Sequence, residues 1–407
     1  MSATEQAPHR ESPPSVLLGS ELPGAAAGIA VAAELLCSAL VPFASVGIMS
    51  HRPSIVPSFT SGHNGTYPHI RLGTQPAVIH GEALLPGYVY RRRLASWSCG
   101  WAVGSRYAAA MFAAGLPYIV WEATTSRAEL KAVDLRAARR AGRGSGIGAL
   151  LHTALLPLDE RLERMLYRGA RAVFGMSEYS RDLISASSGI CRDNIGLLPA
   201  PPRPLFIDAL RAQCGQSKPP PVNGVLRLLL VGRVDDPRKN VGLLLGAYRR
   251  LRSSGTRVVL TIVGPHTEQW RHALRVDSVV EEITFTGTIS VEALAAMFLS
   301  HDLLIVSSRQ EGYGFTVIEA LHAGLPVVST RCGGPEHVIR ESGAGVLVDH
   351  TDVAMAGAIA ALAADPNRRV LMAKHAREYA SRVLSLESFY SCVRSTTEGM
   401  LALVSCA

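Results

Sequence analysis

The chain alternates short apolar runs with longer amphipathic ones, separated by stretches that carry glycine and proline. Apolar runs of four to six residues bounded by turn signals predict buried strands. Runs with apolar positions every three or four residues predict helices. The pattern is clearest around SSRQEGYGFTVIEALHAGLPVVSTRCGG, residues 307–334. A strand at 303–306 leads into a polar, glycine-bearing loop at 309–314. A helix follows at 316–322, stopped by Ala323-Gly324 and then Pro326. Glycine just past a helix with proline soon after is the usual stop signal. A second strand, 326–330, ends before Gly333-Gly334. The unit is therefore strand, loop, helix, strand, and its helix start faces the carboxyl edge of a sheet, where α/β folds bind ligands. The N–H groups of Gly314, Phe315 and Thr316 would point at an anion placed there.

The same reading predicts two sets of strands and helices. The first has strands at 16–19, 46–49, 77–80, 118–121, 172–176 and 195–198. Its helices end near residue 40 or cover 95–114, 127–135 and 159–168, and Ser177 to Ser180 caps the next one. The second has strands at 226–231, 258–263, 283–285, 303–306, 326–330 and 345–348, with helices between and after them. Residues 51–76 are rich in Pro, Ser, Gly and His and predict a long loop. Residues 199–224 hold seven prolines and predict a linker. The fold class is thus α/β, with two Rossmann-like doubly wound parallel-sheet domains facing a central cleft. Residues 1–214 form a first domain and 215–385 a second, followed by a last helix, 386–403.

At 407 residues the chain suits two domains. It is 48% hydrophobic and 18% charged, enough for two cores and against disorder. The net charge of +8 implies acidic ligands or an anionic surface. Aromatics are 6%, with no basic stretch interleaved with them, so nucleic acid is not an expected partner. Seven dispersed cysteines without a C-x2-C pair suggest reduced thiols in a cytoplasmic protein, and no secretory signal is read at the start. Residues 22–49 carry only Glu34 as a charge, but Pro23, Gly24 and Pro42 interrupt them. A buried strand and helix fits better than a membrane span. The basic, glycine-rich stretch 136–148 reads either as a surface loop or as a patch touching anionic lipid.

Glu311 and Glu319 bracket the loop of the first-described unit, eight positions apart. Taken alone, they could be solvated charges near a helix start. The whole string, E-G-Y-G-F-x3-E-A-x2-A-G-x-P-V-V-x5-G-G, resembles the signature of retaining family 4 glycosyltransferases, which have the GT-B fold. The likeness covers 225–350 strongly and 16–200 weakly. Gly232-Arg233 with Lys239 resembles the family's G-R…K motif, and its spacing favours Lys239 over Arg238 for the lysine's role. Ala27-Gly28 matches the end of a glycine loop near the donor phosphates.

The resemblance implies retaining transfer from a UDP- or GDP-linked sugar. Glu319 would bind the ribose hydroxyls and Glu311 would lie against the sugar. Arg233, Lys239 and the N–H groups of Gly314, Phe315 and Thr316, beside Gly312, would hold the diphosphate. The backbone at Thr288 and Ile289 would hold the base. A histidine that many members place after the strand at 118–121 is missing, and Glu122 is the candidate polar group on the acceptor side. The turn after 195–198 reads Pro199-Ala-Pro-Pro-Arg203 where the family has P-N-G-V-D. No D-x-D motif stands in place for a metal, so no metal and no cofactor are expected. The expected acceptor is a small molecule. A lipid headgroup, with peripheral membrane contact, and a non-catalytic nucleotide-sugar-binding regulatory subunit stay open as alternatives.

Overall fold

The computed structural model describes residues 13–20, 28–53, 58–64, 67–74, 84–125, 127–128, 146–213, 224–265 and 283–405. Its elements run in order β1 (Ser15–Gly19), α1 (Gly28–Leu40), β2 (Ser45–Pro53), β3 (Ser58–Asn64), β4 (Tyr67–Thr74), α2 (Leu84–Val89), α3 (Arg91–Leu94) and β5 (Cys99–Val103). Then come α4 (Ser105–Ala114), β6 (Tyr118–Glu122), α5 (Gly146–Gly169), β7 (Ala172–Gly175), α6 (Glu178–Ser188), β8 (Gly196–Leu197) and α7 (Pro204–Gln213). The second half holds β9 (Leu226–Val231), α8 (Val241–Ser253), β10 (Val258–Val263), β11 (Thr284–Gly287), α9 (Val291–Ser300) and β12 (Leu303–Val306). It closes with α10 (Phe315–Ala323), β13 (Val327–Thr330), α11 (Gly334–Ser342), β14 (Gly345–Val348), α12 (Asp352–Ala364), α13 (Pro366–Val383) and α14 (Leu386–Ser405).

Two sheets result. The first has the order β3-β4-β2-β1-β5-β6-β7-β8 and the second β11-β10-β9-β12-β13-β14. Among the described strands, only β3 runs antiparallel, against β4. Helices cover both faces, so strands such as β5, β6 and β12 are apolar and buried at nearly every position. In each sheet successive strands run outward one way and then the other. The reversal falls between β1 and β5 in the first sheet and between β9 and β12 in the second. Those crevices are where such sheets place ligands.

Three expectations change. Residues 51–76 are not one long loop: β2 continues to Pro53, and β3 and β4 pair from Ser58↔Gly73 to Asn64↔Tyr67. The predicted helix 95–114 is a strand followed by a helix. Gly100 belongs to β5 because an added Cβ would lie 2.5 Å from the Met111 sulfur, and Gly104, at φ 96°, breaks the chain direction before α4. The helix predicted from 159 starts earlier, at Gly146, and runs through Pro157. The expected strand 77–80 and Ser126 lie outside the described residues, as do most of the helix 127–135, most of the basic stretch 136–148 and residues 214–223 of the linker. The other part of that linker is helical: α7 packs on α9, with the Phe206 and Phe298 rings edge-on at 5.5 Å.

Helix α14 returns to the first sheet and packs on α1. The indole N–H of Trp101 donates to Thr397 Oγ1 at 3.0 Å, and Phe389 lies 5.2 Å from the ring of Trp121. Both tryptophans are fully buried. Each removes about 200 Å² from water, roughly 5 kcal/mol of apolar transfer energy.

Candidate active site

The carboxyl ends of β9 and β12 carry the two loops of the candidate site. Gly232 follows β9 at φ 148°, and a Cβ there would sit 3.1 Å from Lys239 Cε, so glycine leaves room for the lysine stem. A 3-10 turn, Pro237–Lys239, then aims the side chains. Asp236 caps this turn by accepting from the Arg238 N–H, and its carboxylate also takes the Arg238 guanidinium at 2.9 Å and Arg233 at 3.4 Å. Burial pushes the Asp236 carboxyl up, but the Arg238 hydrogen bonds outweigh it and leave its pKa below the ordinary value. Arg238 is thus bound to its own turn, whereas Lys239 Nζ reaches Glu311 Oε1 at 2.7 Å.

Glu311 is fixed from several sides. Its Oε1 also accepts from Ser308 Oγ at 2.6 Å. Its N–H donates to Cys332 O and its carbonyl accepts from the Gly334 N–H, at 2.7 and 2.8 Å. A small cavity opens beside the pair, lined in part by Ser308 and Thr316. Gly314, at φ 86°, turns the chain into α10 in a conformation that glycine alone adopts cheaply. The N–H groups of Val317 and Ile318 donate to Gly314 O, and those of Phe315 and Thr316 precede any intrahelical acceptor.

Glu319 sits in the second turn of α10 and is buried. Burial raises its pKa to about 7, against the pull of Arg203. Arg203 comes from the Pro199–Arg203 turn of the first domain, the turn that departs from the family pattern. Its only signal in the sequence was a single basic residue among prolines.

The first domain closes directly over the loop 309–314. Ser177 Oγ donates to Gly312 O at 3.1 Å, Gln310 Nε2 to Thr124 Oγ1 at 3.2 Å, and Tyr313 OH to Ala200 O at 2.6 Å. A Cβ on Gly28 would meet the Phe315 ring at 3.2 Å, which brings the start of α1 to the donor-side helix. Ser308, Ser177, Gln310 and Arg203 were not singled out as site residues from the sequence. Ser177 was read only as a helix cap, and it does form a capping box with Ser180.

Glu122 ends β6 and is buried beneath the start of α4. Its Oε2 accepts from the Ser105 N–H at 2.7 Å and from Tyr167 OH at 3.1 Å. It thus satisfies a helix N-terminus, and nearby Thr124 is the residue that reaches the loop 309–314. Thr288 and Ile289 follow β11 on the far side of the second sheet. Thr288 is exposed and Ile289 packs on the core. Among the described residues, no three His, Cys, Asp or Glu side chains converge as a metal site.

Residues 226–365 match the family described as Glycosyl transferases group 1. The GDP-mannose-dependent alpha-(1-6)-phosphatidylinositol monomannoside mannosyltransferase of Mycolicibacterium smegmatis is 29% identical over 263 residues, covering 60% of this chain and 67% of that protein. The D-inositol 3-phosphate glycosyltransferase of Pseudarthrobacter chlorophenolicus is 29% identical over 266 residues, covering 60% and 62%. The chain therefore matches about two thirds or less of these relatives' length. Among solved structures, sucrose-phosphate synthase from Thermosynechococcus elongatus superposes with a TM-score of 0.73 at 19% identity, over 96% of this chain and all of that one. Anabaena HepE in complex with UDP gives 0.68 at 17%, over 95% and 100%. The two parallel-sheet domains have the GT-B fold, and residues 226–365 are similar to the glycosyl transferases group 1.

Proposed function

We propose that the protein is a retaining, metal-independent glycosyltransferase that moves a sugar from a nucleoside diphosphate sugar to a hydroxyl of an inositol-phosphate-type acceptor. The observation that carries this reading is the Lys239–Glu311 pair beside the start of α10, at the strand-order reversal of the second sheet. Lys239, Arg233 and the N–H groups from Gly314 to Thr316 bind the diphosphate, and Glu319 accepts from the ribose hydroxyls. Glu311 lies along the sugar. The bond from the anomeric carbon to the diphosphate oxygen breaks while the acceptor oxygen attacks from the same face. The acceptor's proton passes to the departing diphosphate oxygen, whose charge Lys239 and the helix start stabilise. Closure of the first domain over residues 309–314 excludes water during this step.

GDP-mannose is the first donor to test, because a relative at 29% identity carries it in its name, and UDP sugars are the second. The acceptor stays within one chemistry: a free inositol phosphate supports the small-molecule reading, and phosphatidylinositol the lipid reading. Reaction in the cytoplasm follows from the donor.

The test is a thermal-shift series with GDP, UDP, ADP and dTDP on wild type and K239A, followed by transfer assays with and without chelator. A nucleotide at 100 times its Kd should add about 2.7 kcal/mol of stability. The expected outcome is a shift with one nucleotide, lost in K239A, and a product of unchanged anomeric configuration by NMR. An inverted product, or loss of activity with chelator, overturns the mechanism. Nucleotide binding without transfer or donor hydrolysis would favour a non-catalytic, regulatory subunit.

A further inference from the structure

The sequence alone gave no place where basic residues share a face with an apolar stripe. The fold creates one on α2 and α3. Helix α2 turns Pro86 and Gly87 inward, and a Cβ on Gly87 would lie 2.6 Å from Ala110 O, so α2 is pressed onto α4. That docking turns Leu85, Tyr88 and Val89 outward at 57%, 59% and 53% exposure, although large apolar side chains are usually covered. Helix α3 follows at once, with Leu94 buried and Arg91, Arg92 and Arg93 all exposed. The Arg91 guanidinium lies 4.8 Å above the Tyr88 ring, which joins the cationic and apolar parts into one surface. Tyr88 to Arg93 line a shallow depression of about 420 Å³.

We infer that residues 85–93 form a peripheral docking surface for a bilayer that displays anionic lipid headgroups. Three consecutive arginines match a negative surface in charge, and the depression they line suits a phosphate. Leu85, Tyr88 and Val89 supply the apolar side chains that enter the boundary between headgroups and acyl chains, where amphipathic aromatic rings also sit. Among the described residues, no helix is long and apolar enough to cross a membrane, so the contact is one of surface docking. The arginines give selectivity for anionic lipid, and the apolar residues give a component that salt does not screen. This surface stands apart from the loops after β9 and β12, and its assignment does not depend on which sugar is transferred.

The experiment is cosedimentation of the full chain with vesicles of phosphatidylglycerol and phosphatidylcholine in equal parts, against pure phosphatidylcholine vesicles. The variants are R91S/R92S/R93S and L85S/Y88S/V89S, with folding checked by melting temperature and by the nucleotide-induced shift. No sugar donor is present, so failure of transfer chemistry cannot be confused with failure of docking. Wild type should prefer the anionic vesicles, and the arginine variant should bind them on the order of 100-fold more weakly, from about fivefold per arginine. The apolar variant should keep a weaker association that 1 M salt abolishes. Equal binding to both vesicles by wild type, or unchanged binding by the arginine variant, overturns the inference. So does a wild-type dimer in light scattering that the apolar variant dissolves, since that assigns the surface to a second copy.

Discussion

Glu319 carries a carboxyl group buried in the second turn of α10. Its pKa rises from the ordinary 4.5 to about 7 through burial, so the folded protein holds this proton more tightly than the unfolded chain. Stability is therefore lost as pH rises from 4.5 to 7, and above 7 the full penalty stands, about 3 kcal/mol by that gap. E319Q should melt close to wild type at pH 5 and several degrees above it at pH 8, while binding nucleotide more weakly. Equal melting temperatures at both pH values would show that Glu319 is not burdened this way. E311Q and K239A belong to the same scale. Each should lower kcat by 10²- to 10³-fold in the transfer assay, as removal of one charge-stabilising group does elsewhere. K239A should also lose the nucleotide-induced shift, whereas E311Q, which contacts sugar rather than diphosphate in our reading, should keep it. Glu311 and Lys239 were legible through motifs on the loops after β12 and β9, and Glu319 through its spacing from Glu311, which puts it on the helix that follows the loop. The sequence was silent on Ser308 and Arg203, because both act through contacts that form only when the chain has folded around them.

Helices and strands were most legible where one element decides its own ends. Helix α10 has glycine at both ends in a positive-φ conformation, and its predicted bounds differ from the observed ones by a single residue at each end. The hairpin of β3 and β4 was missed because its residues are polar, although Asn64-Gly65 is itself a strong turn signal. Strand β5 was missed because Ala-rich sequence continues past it, and the two glycines that define it matter only through Met111 and the turn at Gly104. At this scale the loop 309–314 makes a clear prediction. A Cβ on Gly312 would come 2.9 Å from Ala123 O, a backbone atom of the other domain that cannot move aside cheaply. G312A should leave the nucleotide-induced shift intact and lower kcat at least tenfold, because the domains no longer close fully. A loss of nucleotide binding in G312A would locate the damage within the loop instead.

For the molecule as a whole, the alternation of strands and helices was readable from the period of the apolar pattern, whereas the return of the last helix was implied only by the family resemblance. The helix exchange was only half visible. Helix α7 lies before the second sheet in sequence yet packs on α9, and α14 lies after it yet packs on the first domain. T397V leaves the indole N–H of buried Trp101 without its acceptor and should cost about 1–3 kcal/mol in denaturant unfolding. Residues 1–213 expressed alone should aggregate, and adding a peptide of residues 386–405 should restore a soluble, cooperatively unfolding domain.

The placement of α14 also sets an order of events during synthesis. A ribosome delivers the first sheet, then the whole second domain, and only afterwards the helix that covers Trp101 and Trp121. At about 5–20 residues per second, the first core waits on the order of ten to thirty seconds with one face bare. The half made first is finished last, so the nascent chain needs cover for that face throughout the interval.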